Sequence, residues 1–65
     1  MKKKMLKKIK RGTRVRIEAD GKDFIRSNAM NFSVFLRDAS VDMRTATTIP
    51  GIHLPNETEV YVVED

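Results

Sequence analysis

The chain has 65 residues, no cysteine and no tryptophan, and its 13 Lys and Arg outnumber its 9 Asp and Glu. At this length it forms one domain at most, with a hydrophobic core that supplies only about 3–5 kcal/mol. Without cysteine it has neither disulfides nor thiolate-bound metal to reinforce that core, which excludes both kinds of scaffold.

The net charge of +4 conceals an uneven distribution along the chain. Residues 1–16 contain nine basic residues and no acidic one, whereas residues 17–65 carry four bases and nine acids. Basic N-terminal arms are typical of proteins that bind nucleic acid, an anionic membrane or an acidic protein surface. The alternatives are a solvated run that keeps a small protein soluble, and a dipolar molecule with self-complementary ends.

The lysine-rich start is similar to the first part of a signal peptide, but no apolar region of signal-peptide length follows it. No segment approaches the roughly 20 apolar residues of a membrane span. We therefore expect a soluble, cytoplasmic protein.

Residues 2–10 are predicted to form a short amphipathic helix. Met1, Met5, Leu6 and Ile9 fall within one arc of a helical wheel, with most lysines on the other side. Gly12 is well placed to end this helix. Because so short a helix is not stable alone, its apolar stripe must pack either on a partner or on the protein's own sheet.

Five short strands are predicted after the helix. Val15, Ile17 and Ala19 alternate with polar residues, and Asp20-Gly21 predicts a hairpin with a type I′ turn. This spacing indicates a mainly β fold, a small five-stranded barrel or sheet of residues 13–65 preceded by a basic helical arm of residues 1–12. The predicted strands cover residues 13–20, 22–26, 31–37, 44–49 and 59–63, and residues 51–57 are predicted as a loop.

Phe35 is predicted to lie on the outer side of its strand, because Phe32, Val34 and Leu36 alternate with it and point inward. An aromatic side chain on the outer side indicates that this side is partly covered. Phe35 and the apolar stripe of the predicted helix are the candidates for contacting a protein partner. The residues are Met5, Leu6, Ile9 and Phe35.

Three stretches are similar to known sequence motifs: residues 15–22 to a first hairpin, residues 30–31 with 36–39 to the end of a first motif, and residues 49–51 with 60–62 to a second motif. Together with the order of elements, they resemble the Sm-like small β-barrel family. In that family an Asn of the first motif and an Arg-Gly pair of the second hold uridine bases in a ring pore, so the resemblance implies RNA binding by Asn31 and Gly51 and a homo-oligomer. Pro50 stands where the family has Arg. An SH3-like or OB-like barrel fits the same spacing.

No residue pattern predicts catalysis, a metal site or a cofactor. His53 is the only histidine, and the sequence places no nucleophile beside it. The acids near the C-terminus lack the spacing of a calcium-binding loop, and the isolated glycines form no phosphate-binding loop. We therefore expect a protein without enzymatic activity.

Nucleic-acid binding is the first function that the sequence favours, with RNA and DNA both open. Basic side chains of the arm and the first strand would contact phosphates, and the few aromatic residues predict poor sequence selectivity. The candidate residues are Lys2, Lys3, Lys4, Lys7, Lys8, Lys10, Arg11, Arg14 and Arg16.

Protein–protein interaction is the alternative function. A small accessory subunit, or a factor of viral or plasmid type, would dock on a larger complex through an edge strand and the N-terminal helix. A membrane-surface helix is a third interpretation, but the apolar face is small and has no Trp or Phe to anchor it.

Overall fold

The computed structural model describes residues 1–42, 44–45 and 47–63. In this part of the chain, six antiparallel strands form one sheet in the order β1-β6-β2-β3-β4-β5. The mainly β prediction is confirmed. The strands are β1 Lys2–Met5, β2 Arg14–Arg16, β3 Asp23–Ala29, β4 Ser33–Asp38, β5 Gly51–Pro55 and β6 Glu59–Val62, and a 3₁₀ turn covers Leu6–Lys8.

The predicted N-terminal helix is wrong, because residues 2–5 form the edge strand β1 and the 3₁₀ turn follows it directly. A helix would place pairs such as Lys4 and Lys8 four residues apart on one side, where like charges repel. The extended segment instead gains a backbone ladder with β6, from Lys2 opposite Val62 to Met5 opposite Glu59. The predicted arm of residues 1–12 therefore contributes a strand to the same sheet as the rest of the chain.

The strand predicted over residues 44–49 is absent from residues 44–45 and 47–49, and residue 46 lies outside the described residues. A strand forms instead at Gly51–Pro55, within the predicted loop, so His53 lies in β5. The physical reason is the pairing with β4, where Ile52 lies opposite Leu36 and Leu54 opposite Val34. The threonine-rich stretch before Pro50 offers no such alternation of apolar side chains.

The connection between β2 and β3 is longer than the predicted two-residue turn. β2 ends at Arg16, opposite Asp23, and the residues between them form the loop. The Gly21 N–H donates to the Glu18 carbonyl at 2.9 Å. Among the described residues, Gly12 alone has a positive φ, whereas a type I′ turn needs two such residues in the middle of the turn. The hairpin is confirmed, but its predicted turn type is wrong.

The core lies on one side of the sheet and includes residues of the N-terminal segment. Leu6 is fully buried and Ile9 is 6% exposed, so both join the same cluster as the strand residues. The sequence predicts that the apolar stripe packs either on a partner or on the protein's own sheet. Leu6 and Ile9 pack on the protein's own sheet. The buried cluster consists of Leu6, Ile9, Val15, Phe24, Val34, Leu36 and Val60, with Ile17, Leu54 and Val62 packed against it.

Leu6→Ala is expected to destabilise the protein by about 2–5 kcal/mol, because it removes a fully buried side chain and leaves a cavity. In a domain this small, that loss approaches the whole free energy of unfolding. Urea denaturation followed by circular dichroism measures it. Met1→Ala is the control, since Met1 is 57% exposed, and equal stability of the two variants would contradict this account of the core.

Candidate nucleic-acid interface

Seven exposed basic side chains lie in the edge strand β1, in the 3₁₀ turn that follows it and in the segment that leads to β2. Within the described part of the chain only Lys7 has an acidic partner, Glu57, whose Oε1 lies 4.0 Å from the ammonium group. A weak contact of this kind between exposed groups contributes little and is screened by salt. We call this set the lysine edge: Lys2, Lys3, Lys4, Lys7, Lys8, Lys10 and Arg11.

Two adjoining grooves run along the lysine edge, and Lys4 and Lys8 line both. One groove also contains Lys3, Met5 and Glu59, so a carboxylate shares it. The other contains the following residues, with no acid among them: Lys4, Lys8, Ile9, Lys10, Thr13 and Val62. Three ammonium groups around an apolar floor favour an anion such as a phosphate.

Arg14 and Arg16 lie on the same side of β2, and both bind the same carboxylate. Arg14 Nη1 lies 2.8 Å from Asp23 Oδ2, and Arg16 Nε lies 2.5 Å from Asp23 Oδ1. The hydrogen bonds from Arg16 and then Arg14 lower the pKa of Asp23. This carboxylate therefore stays ionised at neutral pH and cancels one of the two arginine charges.

A second carboxylate, that of Asp38 at the end of β4, compensates the charge of Lys22. Asp38 accepts hydrogen bonds from the backbone and the hydroxyl of Ser40, and Lys22 Nζ lies 3.0 Å from its Oδ2. In that order, these contacts lower the pKa of Asp38 from 3.8 to about 2. Most of the basic side chains in the described part of the chain that have no acidic partner therefore lie on the lysine edge.

Asn31 and Gly51, the residues that the Sm-like resemblance singles out, lie near opposite ends of β5. Asn31 is in the β3–β4 turn, where its carbonyl accepts a hydrogen bond from Asn56 Nδ2 at 3.1 Å. Gly51 begins β5 and lies opposite Arg37. Pro55, at the other end of β5, lies four positions from Gly51 along the strand, a distance of about 13 Å. Asn31, in the turn near Pro55, is therefore separated from Gly51 by most of the length of β5.

Gly51 has a packing role in this structure. A Cβ atom at this position would overlap the Leu36 carbonyl oxygen and lie 2.6 Å from Phe35 Cζ. The aromatic ring of Phe35 therefore lies directly over the glycine, half-buried on the outer side of the sheet.

The residues predicted to contact a protein partner are divided between core and surface. Leu6 and Ile9 are in the core, whereas Met5 and Phe35 are half-buried. Phe32, which alternation predicts to point inward, is 86% exposed in the β3–β4 turn. β4 begins only at Ser33, so Phe32 does not share the strand geometry of Val34 and Leu36.

Sequence reasoning missed three residues that the strand register brings to the side of the arginines. Arg37, Tyr61 and His53 come from β4, β6 and β5, and all three side chains point away from the core. The sequence holds a partial signal, because His53 and Tyr61 each stand between two apolar residues and Arg37 follows one. Their grouping depends on the pairing of distant strands, which local patterns do not contain.

Within the described residues, no group of three His, Cys, Asp or Glu side chains could hold a metal ion. The helices of the same residues include none long and apolar enough to cross a membrane. Comparisons with protein-family models, with curated proteins and with solved structures found no match to this chain.

Gly51→Ala is expected to lower the free energy of unfolding by about 1–3 kcal/mol, because the added methyl group has no space between Phe35 and the β4 backbone. Gly21→Ala is the matched control, since its Cβ would approach a single carbonyl oxygen at 3.2 Å and its φ is not positive. Thermal unfolding of both variants compares them. A Gly51→Ala variant as stable as the wild type would contradict the packing role.

Proposed function

We propose that this protein binds nucleic acid, RNA or DNA, without catalysing a reaction, and that the lysine edge contacts the phosphates. The observation that supports this proposal best is the groove where Lys4, Lys8 and Lys10 converge without an acidic side chain. Compact ammonium groups are suitable phosphate ligands because they bind as point charges and tolerate many orientations. The contacts depend little on sequence, since phosphates are the same at every nucleotide.

The folded geometry of the lysine edge favours binding over a role as a solvated tail. β1 is held by its ladder with β6, and the Leu6 N–H donates to the Thr58 carbonyl at 2.9 Å. Lysine backbones that are already ordered lose less conformational entropy on binding than a flexible tail does. Lysines on an edge strand also discourage pairing with other sheets, and this second role is compatible with binding.

We also propose that the sheet belongs to a small barrel, and the order of the strands supports this. Five strands are neighbours in the order β6-β2-β3-β4-β5. They would form a closed barrel if the first and the last of them, β6 and β5, came together along their lengths and not only at the turn that joins them. That turn is closed by a hydrogen bond from the Thr58 N–H to the Pro55 carbonyl at 3.0 Å. The Sm-like resemblance would add RNA as the ligand and a ring of subunits, but phosphate binding by the lysine edge does not require either.

The affinity for nucleic acid is expected to fall steeply with salt. If about five phosphates are neutralised, log K falls with log salt at a slope of about −4. The double variant Lys4→Gln/Lys8→Gln removes the two lysines shared by both grooves, so the slope becomes shallower by roughly 2. Fluorescence anisotropy with a labelled oligonucleotide at several salt concentrations measures the slope.

Arg44→Glu is the matched control, because it also lowers the net charge by two but lies outside the lysine edge, on a side chain that is 91% exposed. Its slope is expected to equal that of the wild type. Binding that does not vary with salt, or equal slopes for the control and the lysine variant, would count against the proposal.

A second candidate function, association with protein, is favoured by the distribution of exposed apolar side chains. Three large ones lie outside the edge strand β5, in the turn before β4 or just before β5, namely Met30 at 59%, Phe32 at 86% and Ile49 at 52% exposure, and Ile52 within β5 is 36% exposed. The Asp38 N–H donates to the Pro50 carbonyl, so by antiparallel alternation the backbone groups of Gly51 and His53 point away from β4. Such an edge can accept another strand.

A second copy of the chain is the simplest partner for this edge. Sedimentation of the wild type is expected to show association as the concentration rises, and Phe32→Ser/Ile49→Ser is expected to remain monomeric. Thr47→Ser/Thr48→Ser is the control, since it changes exposed side chains without removing a large apolar group. A wild type that stays monomeric at high concentration would contradict self-association through β5.

A further inference from the structure

The side of the sheet that faces away from the core, which we call the outer face, brings cations and aromatic rings together. Residues directly opposite each other on neighbouring strands point to the same side of a sheet. Lys3, Tyr61 and Arg16 therefore form one row across β1, β6 and β2. A second row runs from Arg14 through Ile25 to Arg37, and Phe35 with His53 forms a third, shorter row.

The rings of the outer face occupy two positions. Phe35 and His53 form one, with ring centroids 4.9 Å apart and planes inclined at 45°. Gly51 lies beneath the Phe35 ring and allows it to lie against the backbone. Tyr61 forms the other position, with the Lys3 ammonium group 5.3 Å from its ring centroid. Three strand spacings, about 14 Å, separate the strand of Tyr61 from that of Phe35.

Positive charge lies between the two ring positions. Arg37 takes part in no ion pair within the described part of the chain, whereas Arg14 and Arg16 share Asp23. The three rows thus contain four cationic side chains, and two acids lie on the same side of the sheet: Asp23 beside the arginines and Glu59 beside Lys3. Because guanidinium groups bind phosphates in pairs of hydrogen bonds and also stack on rings, this surface is suited to a ligand with alternating phosphates and flat aromatic groups.

We propose that the outer face binds single-stranded nucleic acid, with phosphates on Arg14, Arg16 and Arg37 and with bases stacked on the Phe35–His53 pair and on Tyr61. This inference rests on the proposed function and specifies its ligand. In a duplex the bases are stacked inside the helix and do not reach protein rings, whereas a single strand exposes them. The lysine edge supplies charge for either form, and the outer face selects the single strand.

The test uses an intrinsic signal of the outer face. Tyr61 is the only tyrosine and the chain has no tryptophan, so its fluorescence reports this face alone. A base stacked on the phenol ring is expected to quench that emission. Three ligands of matched total charge are titrated: an oligothymidylate of about 15 nucleotides, a DNA duplex and inorganic polyphosphate. Quenching is expected with the oligothymidylate and not with the other two.

Affinity measurements on variants test the second ring position. Phe35→Leu and His53→Ala are each expected to weaken oligothymidylate binding about tenfold and to leave duplex binding unchanged. Phe32→Leu is the matched control, because it makes the same change at a more exposed phenylalanine outside the outer face, and its affinities are expected to equal those of the wild type. His53 is itself exposed, so His53→Ala tests the position even if Phe35→Leu fails to fold.

The possible outcomes separate the two proposals. Equal affinity for all three ligands, unquenched Tyr61 and unaffected variants would overturn the role of the outer face while leaving phosphate binding by the lysine edge in place. The absence of salt-dependent binding to every ligand would overturn both. Loss of duplex and single-strand binding alike in His53→Ala would also contradict selection of the single strand by this face.

Discussion

Burial of Leu6 and Ile9 is the interaction on which the arrangement of this protein depends. Each buried aliphatic side chain stabilises the fold by about 1.5–3 kcal/mol relative to an exposed one, and the two lie within a segment of otherwise basic residues. They hold this segment against the sheet, although its positive charges repel one another. The hydrophobic contact thereby converts a flexible basic arm into an ordered edge strand.

The ordered edge separates the charges of the molecule. Asp23 compensates Arg14 and Arg16 in part, and Asp38 compensates Lys22. Positive charge therefore remains concentrated on the lysine edge, while the apolar side chains around β5 lie at the other edge of the sheet. Two edges with such different surfaces can serve different partners. The outer face between them combines charge with rings.

Much of the strand pattern could be predicted from the sequence, because half-buried strands alternate polar and apolar residues. This alternation identifies β2, β3, β4 and β6 to within a few residues. It fails at β1, where a run of lysines has no alternation and where Met5, Leu6 and Ile9 also fit a helical wheel. It fails again at β5, because Gly51 and Pro55 are typical of loops, although Pro is tolerated on an edge strand.

The candidate site could be predicted only in part, because charge is visible in the sequence whereas the pairing of distant strands is not. The lysines of β1 and the 3₁₀ turn are recognisable by charge alone, whatever backbone conformation they adopt. The pairing of Asp23 with Arg14 and Arg16 depends on the register of β2 and β3, which is set by a loop longer than the predicted turn. The approach of Tyr61 to Arg16 depends on two strands from opposite ends of the chain. Local sequence patterns contain no information on such pairings.

Backbone amide NMR spectra recorded during titration with an oligothymidylate test whether the lysine edge binds nucleic acid, because they locate the bound ligand residue by residue. We predict shifts at low salt on residues 2–11 of the lysine edge and around Phe35, His53 and Tyr61 of the outer face, and both sets disappear as salt is added. Shifts confined to the β3–β4 turn, or no shifts at low salt, would contradict phosphate binding by the lysine edge.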